Sequence, residues 1–462
     1  MKTERSMQKS KTLNMTEGRP LALLAVFSLP LLIGNLFQQA YNLADSIIVG
    51  KLIGAAALAS IGATGSVTFL FFSVCNGIGG GAGIVTAQYF GADDDEKVRK
   101  SISNSAYIMF VTSLIMGLLA FTAAPTVLRL MGTPSDILPD AITYMRMSCI
   151  GVPLIAVYNY SSSMLRALGD SKTPLKFLIV ACLLNVVMDL FFVYICKMGV
   201  FGAALGTIIA QLIAGSGCLY YAIRYNPYFR LKREHFAFDR EITLKAVRIG
   251  LPLALQWSLI AVSTTALQHF VNSFGSEAVA AFTATNRIEQ LVQQPFGSLG
   301  LALSTYAGQN YGARKLARIR QGLRESLLAV LVFSAFMLLV MQLFSYPIIR
   351  IFINEPSVIE LGAKALRLTS WFYFFLGLIY TTRGVQNGIG DSLFALTNGV
   401  VEMICRIGLP MILIHIPGLG VWGIWWCAGL SWMISSFFCV LRYRSWNRKS
   451  ALNAPVRQAA AS

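Results

Sequence analysis

From Pro20 to Ala44 the chain runs without a single Asp, Glu, Lys or Arg, and Asp45 follows. Roughly 20 consecutive apolar residues in a helix are enough to cross the hydrocarbon of a bilayer. This run also carries a polar stripe. Asn35, Gln38, Asn42 and Asp45 fall at i, i+3, i+7 and i+10, which is one face of a helix. Such a face cannot meet lipid cheaply, so it must meet a partner helix or a watery cavity. Amide hydrogen bonds between helices would be the plain use of the stripe. A carboxylate inside a span points further, to a functional site.

The rest of the chain has the same character. Of its 462 residues only 13% are charged, against about 25% in soluble domains, and the mean hydropathy is +0.62. The eight Cys are scattered with no CxxC pair and read as small core hydrophobes. The first apolar run is too long for a signal peptide and lacks a cleavage site, so it is expected to be retained. A net charge of +17 would suggest nucleic acid on a soluble protein. Here no nucleic-acid partner is expected, because the basic residues follow the membrane topology.

Twelve spans can be drawn, at about 21–46, 55–83, 101–127, 140–165, 174–196, 200–223, 245–273, 278–306, 322–348, 361–385, 393–416 and 420–441. Lys and Arg crowd one side: Lys2, Arg5, Lys9, Lys11 and Arg19, alternate loops including the long 224–248 stretch, and a tail with Arg457. That side takes 29 of the 38, and the opposite loops hold only Lys51, Arg129, Lys197, Arg350 and Lys364. By the positive-inside rule both termini are expected in the cytoplasm.

The chain also repeats itself. LGDS at 168–171 returns as IGDS at 389–392, TAQYFGA at 86–92 as AGQNYGA at 307–313, and VFGAALG at 200–206 as VWGIWWC at 421–427, each 221 positions later. Pro30 returns as Pro252. The unit is six helices, and an even number brings both copies into the membrane from the same side. The expected fold is therefore an all-α integral membrane protein, with twelve transmembrane helices in two six-helix lobes related by a pseudo-twofold axis along the membrane normal. Residues 1–223 form the first lobe, 224–244 a basic cytoplasmic linker, and 245–462 the second lobe with its basic tail. Two such lobes around a cleft suit alternating access.

The acids inside spans include four of interest: Asp45, Asp189, Glu289 and Glu402. None recurs at the equivalent position of the other copy. The scaffold is duplicated and the chemistry is not. Asn185 and Asp189 share a helix face, and Thr207 lies on the next span. With Asp45 they offer carboxylate, amide and hydroxyl oxygens suited to Na⁺ or to a proton relay. Glu289 shares a face with Asn286 and Gln293 and is a candidate lining for a substrate cavity. Glu402 and Arg406, at i and i+4, read as a mutually neutralising structural pair. Pro30, on the same helix as Asp45, permits a kink and is a candidate hinge.

Several activities find no support. The one Gly-Lys pair, Gly50-Lys51, lacks the rest of a P-loop. GLGVWG at 418–423 has no strand before it and reads as a turn. His235, His269 and His415 form no metal-spaced motif, and no nucleophile–base constellation is visible. The chain is not expected to be an enzyme and no cofactor is expected beyond a coupling H⁺ or Na⁺.

The twelve-helix duplicated layout, LPLLIGNLFQQAYNLADSIIVGKLIG, the QYFGA loop, LRALGDSKTP, and NVVMD followed by GVFGAALGT together resemble the multidrug and toxic compound extrusion (MATE) family, its bacterial DinF-like or related branch in particular. The resemblance covers nearly the whole chain. It implies a cation-coupled antiporter in the bacterial cytoplasmic membrane that exports organic cations and other amphipathic drugs. It also implies a first-lobe cation site, H⁺ or Na⁺, at Asp45, Asn185, Asp189, the backbone of Ala203, and Thr207, with Tyr144 nearby. The chain departs from the NorM-type pattern in having no Glu in span seven and no Asp in span ten. A secondary exporter working as a monomer in the bilayer is the reading adopted. Its rival is a flippase for a lipid-linked saccharide or other lipid, which should show a cationic cavity; few Lys or Arg lie inside these spans. A channel fits the duplicated lobes and buried acids less well.

Overall fold

The computed structural model describes residues 13–452. The basic residues Lys2, Arg5, Lys9, Lys11 and Arg457, and both chain ends, lie outside the described residues. Thirteen long helices make up the described chain: α1 Pro20–Leu52, α2 Ala55–Gly91, α3 Asp95–Leu130, α4 Leu138–Ala167, α5 Lys172–Asp189, α6 Gly199–Tyr225, α7 Arg240–Asn272, α8 Ser276–Gly312, α9 Leu316–Arg350, α10 Pro356–Ser370, α11 Tyr373–Gly388, α12 Ser392–Leu413 and α13 Trp422–Leu452. No strand occurs among the described residues. The protein is an all-α integral membrane protein.

Thirteen helices serve twelve spans because the tenth span is broken. Expected as one helix over 361–385, it is α10 and α11, separated at Trp371 and Phe372. The backbone there tightens to i→i−3 bonds, Trp371 N to Leu368 O at 3.4 Å and Phe372 N to Thr369 O at 2.9 Å. No Gly or Pro stands at the break, so local sequence gives no warning of it. Among the described residues, ten helices are long and apolar enough to cross a membrane by themselves. Of the remaining three, α10 and α11 have only 15 and 16 residues. The other, α8, is long enough but too polar, carrying Asn286, Arg287, Glu289, Gln293 and Gln294.

Contacts divide the chain into two compact units. Unit 1 takes the chain to Ser258 together with Thr305–Arg318. Unit 2 takes Leu259–Ser304 and the chain from Ile319.

In unit 1 the repeated QYFG and QNYG motifs meet each other. A Cβ on Gly91 would collide with the carbonyl of Gln309, and a Cβ on Gly312 with the carbonyl of Gln88. Each glycine thus lets its helix approach the backbone of the other copy, as small residues do where membrane helices cross closely. The segment before α1 is fastened at the same place. Met15 N donates to Gln309 Oε1 at 2.9 Å, Asn310 Nδ2 donates to Met15 O at 3.0 Å, and Arg318 Nη2 donates to Gly18 O at 3.0 Å. Met15 is fully buried.

The stretch between α6 and α7 is equally well held. It makes two short 3₁₀ turns, Pro227–Phe229 and Arg233–Phe236. Arg99 of α3 donates to Arg230 O at 2.7 Å, and Asn104 accepts from Asp239 N at 2.8 Å. Asp239 in turn caps α7 through Glu241 N and Ile242 N. The two GDS motifs are used differently. Asp170 caps α5 at Lys172 N and Thr173 N, whereas Asp391 in unit 2 takes both Nε and Nη2 of Arg442, at 2.8 and 3.1 Å.

Unit 2 has apolar cores around Phe296, Leu366, Tyr373, Leu376 and Trp432, and around Leu267, Val271 and Trp425. Gly300 and Gly384 bring α8 and α11 into backbone contact. Outward faces stay apolar: Leu331, Val332, Phe336, Leu339 and Leu343 of α9 are all exposed, as a lipid-facing helix requires.

The glycine crossing in unit 1 leads to a stability prediction. Gly91→Ala inserts a methyl where a carbonyl already stands, an overpacking that costs about 1–3 kcal/mol. Thermal unfolding of the detergent-solubilised variant should begin at a clearly lower temperature than wild type. An unchanged transition would mean that the two backbones do not approach closely at this crossing.

Candidate cation site and buried acids

The first acid cluster is built by α1, α5 and α6 of unit 1, with α4 beside them. Asp189 is the last residue of α5 before the backbone widens into a π-helical turn, Leu190–Ile195. Such turns recur at functional sites because they turn a side chain away from the regular helical register. Asp189 is fully buried. Its carboxylate lies within hydrogen-bond reach of Asp45 on α1. Two carboxyl oxygens can bond each other only through a proton or a shared cation. One oxygen of each, Asp45 Oδ1 and Asp189 Oδ1, has no hydrogen-bond partner.

Asn185 links the acids to α6. With its amide oriented to satisfy both neighbours, Nδ2 donates to Asp189 Oδ2 at 2.9 Å, and the oxygen accepts from Thr207 N at 3.1 Å and Thr207 Oγ1 at 3.0 Å. The Thr207 hydroxyl lies 3.2 Å from Ala203 O. The structure therefore brings Asp45, Asn185, Asp189, Ala203 and Thr207 into one cluster. Tyr144 of α4 lies within electrostatic reach of both acids. Val49, Ala57, Val193, Val200 and Ala203 form an apolar floor that Tyr144 packs against.

The α1 stripe is only partly drawn in. Gln38 lines a narrow crevice with Tyr41, Asn185, Thr207 and Gln211. Asn35 and Asn42 are not in that lining, and Asn42 is exposed, its carbonyl accepting from Ser46 at 2.8 Å. Pro30 lies buried within α1, and the helix runs on through it.

Two members of this cluster escaped the sequence reading. Tyr41 stands one turn before Asp45 on the same face, within reach of Thr207; the i, i+4 spacing to Asp45 was the available signal. At Gly206 a Cβ would sit 2.7 Å from Asp189 Oδ1, so the glycine makes room for the carboxylate. The Gly202-to-Gly206 spacing, a small-residue pair at i and i+4, marked it.

Unit 2 holds the other two acids. Glu402 Oε1 and Arg406 Nη2 are 2.6 Å apart, with side chains 7% and 15% exposed. Arg406 Nη1 also donates to Thr264 Oγ1 of α7 at 3.0 Å. Glu289 is buried on α8 and makes no contact with this pair closer than electrostatic range. Of its companions on that helix, Gln293 accepts from Tyr380 OH at 3.3 Å, and Asn286 is half-buried. No group of three or more His, Cys, Asp or Glu able to hold a metal ion occurs among the described residues.

Known proteins resemble the chain along its length. The family model described as MatE matches twice, over residues 30–191 and 252–412, at the spacing of the internal repeat. The chain is 31% identical over 440 residues to "Probable multidrug resistance protein YpnP" of Bacillus subtilis (strain 168), covering 94% of this chain and 97% of the relative. To "Probable multidrug resistance protein YoeA" of the same strain it is 27% identical over 410 residues, covering 87% and 89%. Among solved structures, one titled "Crystal structure of MATE in the bent conformation" matches with a TM-score of 0.86 at 25% identity, over 95% of this chain and 98% of that one.

The Glu402–Arg406 pair is open to a double-mutant test. Removing either partner strands a buried charge and should cost roughly 3–5 kcal/mol. Replacing both with apolar residues of similar volume should recover much of that loss in a thermal or denaturant unfolding assay. A double variant no more stable than the singles would rule out mutual neutralisation as the main role.

Proposed function

The chain belongs to the MatE family, the multidrug and toxic compound extrusion transporters, and from that premise we propose that it is a secondary active exporter, antiporting amphipathic or cationic organic compounds against H⁺ or Na⁺. It is a multi-pass membrane transporter and not an enzyme. The observation that carries the coupling mechanism is the meeting of Asp45 and Asp189, two carboxyls from different helices in one pocket, each with an unpartnered buried oxygen. Both cannot be ionised there without a cation, because like charges at close range in a low dielectric repel strongly. One proton or one Na⁺ meets the same need, so the two ions compete and the acids titrate as a pair.

The ligand set for Na⁺ would be Asp45, Asp189, the Asn185 amide, Thr207 and the Ala203 carbonyl, oxygen donors suited to a hard cation. Loading from outside biases the transporter toward releasing its substrate, and unloading inside resets it. Gln38, Asn35, Asn42 and Tyr144 in the first lobe, and Asn286, Glu289 and Gln293 in the second, are the polar groups offered to substrate. The two lobes of the duplicated sequence, 1–223 and 245–462, are the moving parts, and the 224–244 linker stays on the cytoplasmic side with both termini. The protein works as a monomer in the plasma membrane.

The decisive assay is substrate efflux from proteoliposomes under separately imposed pH and Na⁺ gradients. Asp45→Asn keeps the shape of the side chain and removes its charge, and is expected to abolish gradient-driven efflux in a folded protein. Wild-type pumping by this variant under both gradients would remove Asp45 from the coupling step.

Pro30 supplies the mechanical side of the proposal. A proline lacks the amide hydrogen that would bond to the preceding turn, so the helix bends there more easily. Occupancy of the acid pair is expected to alter the bend of α1. Spin labels at the exposed Leu43 of α1 and Ile213 of α6, in a background without the exposed Cys196, report it. The distance distribution should shift between acidic and mildly alkaline pH and on adding Na⁺. A shift that persists in the Asp45→Asn, Asp189→Asn double variant would assign the sensing to another group.

A further inference from the structure

The acid that the coupling mechanism leaves unused is Glu289. It lies in the middle of α8, 8% exposed, and its Oε1 has no hydrogen-bond partner. Thr369 of α10 and Tyr373 of α11 are fully buried beside it, and the Thr369 hydroxyl and the Tyr373 hydroxyl likewise have no partner. Thr369 is within reach of both the Glu289 carboxyl and the Tyr373 hydroxyl. Three buried oxygen functions therefore converge without any of them settled in a bond. Thr369 and Tyr373 are one turn apart, and between them lies the break at Trp371 and Phe372.

Nothing nearby is free to neutralise a charge on Glu289. Arg406 faces it from α12 at electrostatic range, but its Nη2 is bonded to Glu402 and its Nη1 to Thr264. Arg287, on the same helix, is exposed. An ionised carboxylate buried without a partner is costly enough to take up a proton instead. We propose that Glu289, Thr369 and Tyr373 form a second proton-carrying site, in unit 2, which acts on the break between α10 and α11.

The hydroxyls suit an exchangeable proton. As a neutral acid, Glu289 donates its O–H to Thr369 or Tyr373. As a carboxylate, it accepts from both. A proton can thus leave and return through small side-chain rotations, and each change puts a charge beside, or removes one from, the break in the tenth span. The site's role in transport rests on the export reading, but its occupancy by a proton does not.

The test is infrared difference spectroscopy on the full-length protein in liposomes, in the Asp45→Asn, Asp189→Asn background. In that background a failure of the first site cannot mask or mimic the second. A protonated-carboxyl C=O band that shifts in D₂O is expected at neutral pH, fading as pH rises, unaffected by Na⁺ and lost in Glu289→Gln. Thr369→Val and Tyr373→Phe keep the acid and remove one hydroxyl each, so they should move the band, which covers the case in which Glu289→Gln does not fold. No band, a band that survives Glu289→Gln, or one unmoved by both hydroxyl variants would overturn the proposal. Loss of the band on adding Na⁺ at constant pH would also overturn it, because the site would then take the metal ion in place of the proton.

Discussion

Hydrocarbon offers no hydrogen bonds, and everything in this protein follows from that scarcity. Backbone polar groups are satisfied by helices, and side-chain polar groups are withdrawn from the lipid face. Buried hydroxyls mostly bond back to their own helix: Thr86 to Ala82 O, Ser161 to Val157 O and Thr381 to Gly377 O, all under 3 Å. Against that background the acids inside the spans differ among themselves. Asp45, Asp189 and Glu289 each keep a buried oxygen without a partner, whereas Glu402 is paired through Oε1 with Arg406. The same constraint separates an acid paired with a cationic side chain from acids that keep an oxygen unpaired, and the proposed coupling rests on the latter.

The duplication explains how such asymmetry could be tolerated. Both copies keep the motifs that set helix crossings and turns. The QYFG and QNYG segments are needed together, since each glycine seats the other's backbone. The acids lie elsewhere and differ between copies. The GDS turn shows the same freedom on a smaller scale: one copy's aspartate caps a helix and the other's clamps an arginine.

Much of this was legible in the sequence. Length and apolarity gave the spans, a fixed offset gave the duplication, and the i, i+4 spacing of Asn185 and Asp189 picked out residues that do come together. What was not legible depended on distant partners. Nothing in TSWFYFF marks the break at Trp371, because the sequence there has neither Gly nor Pro. The expected single face of α1 overlooked Tyr41, whose ring disguised it as an ordinary core residue. Asn42 shares the helical face of Gln38, yet it is exposed and lies outside the Gln38–Tyr41 crevice, which the spacing along α1 alone does not reveal. Gly206 escaped notice in the sequence, and its missing side chain is the space in which Asp189 sits.

The fastening of Met15 to Gln309, Asn310 and Arg318 has a consequence for biogenesis. The entry segment of the first helix finds its permanent partners roughly 300 residues downstream. Helices emerge from the ribosome in order, and domains ordinarily fold as they appear. Unit 1 cannot do so, because its last pieces, Thr305–Arg318, are synthesised only after most of α8 has been made. Until then Met15 and the backbone around it lack their native partners. A chain truncated before Thr305 should therefore be a substrate for membrane quality control even though its first six spans are complete, and the early helices must persist in the bilayer as an open assembly awaiting closure.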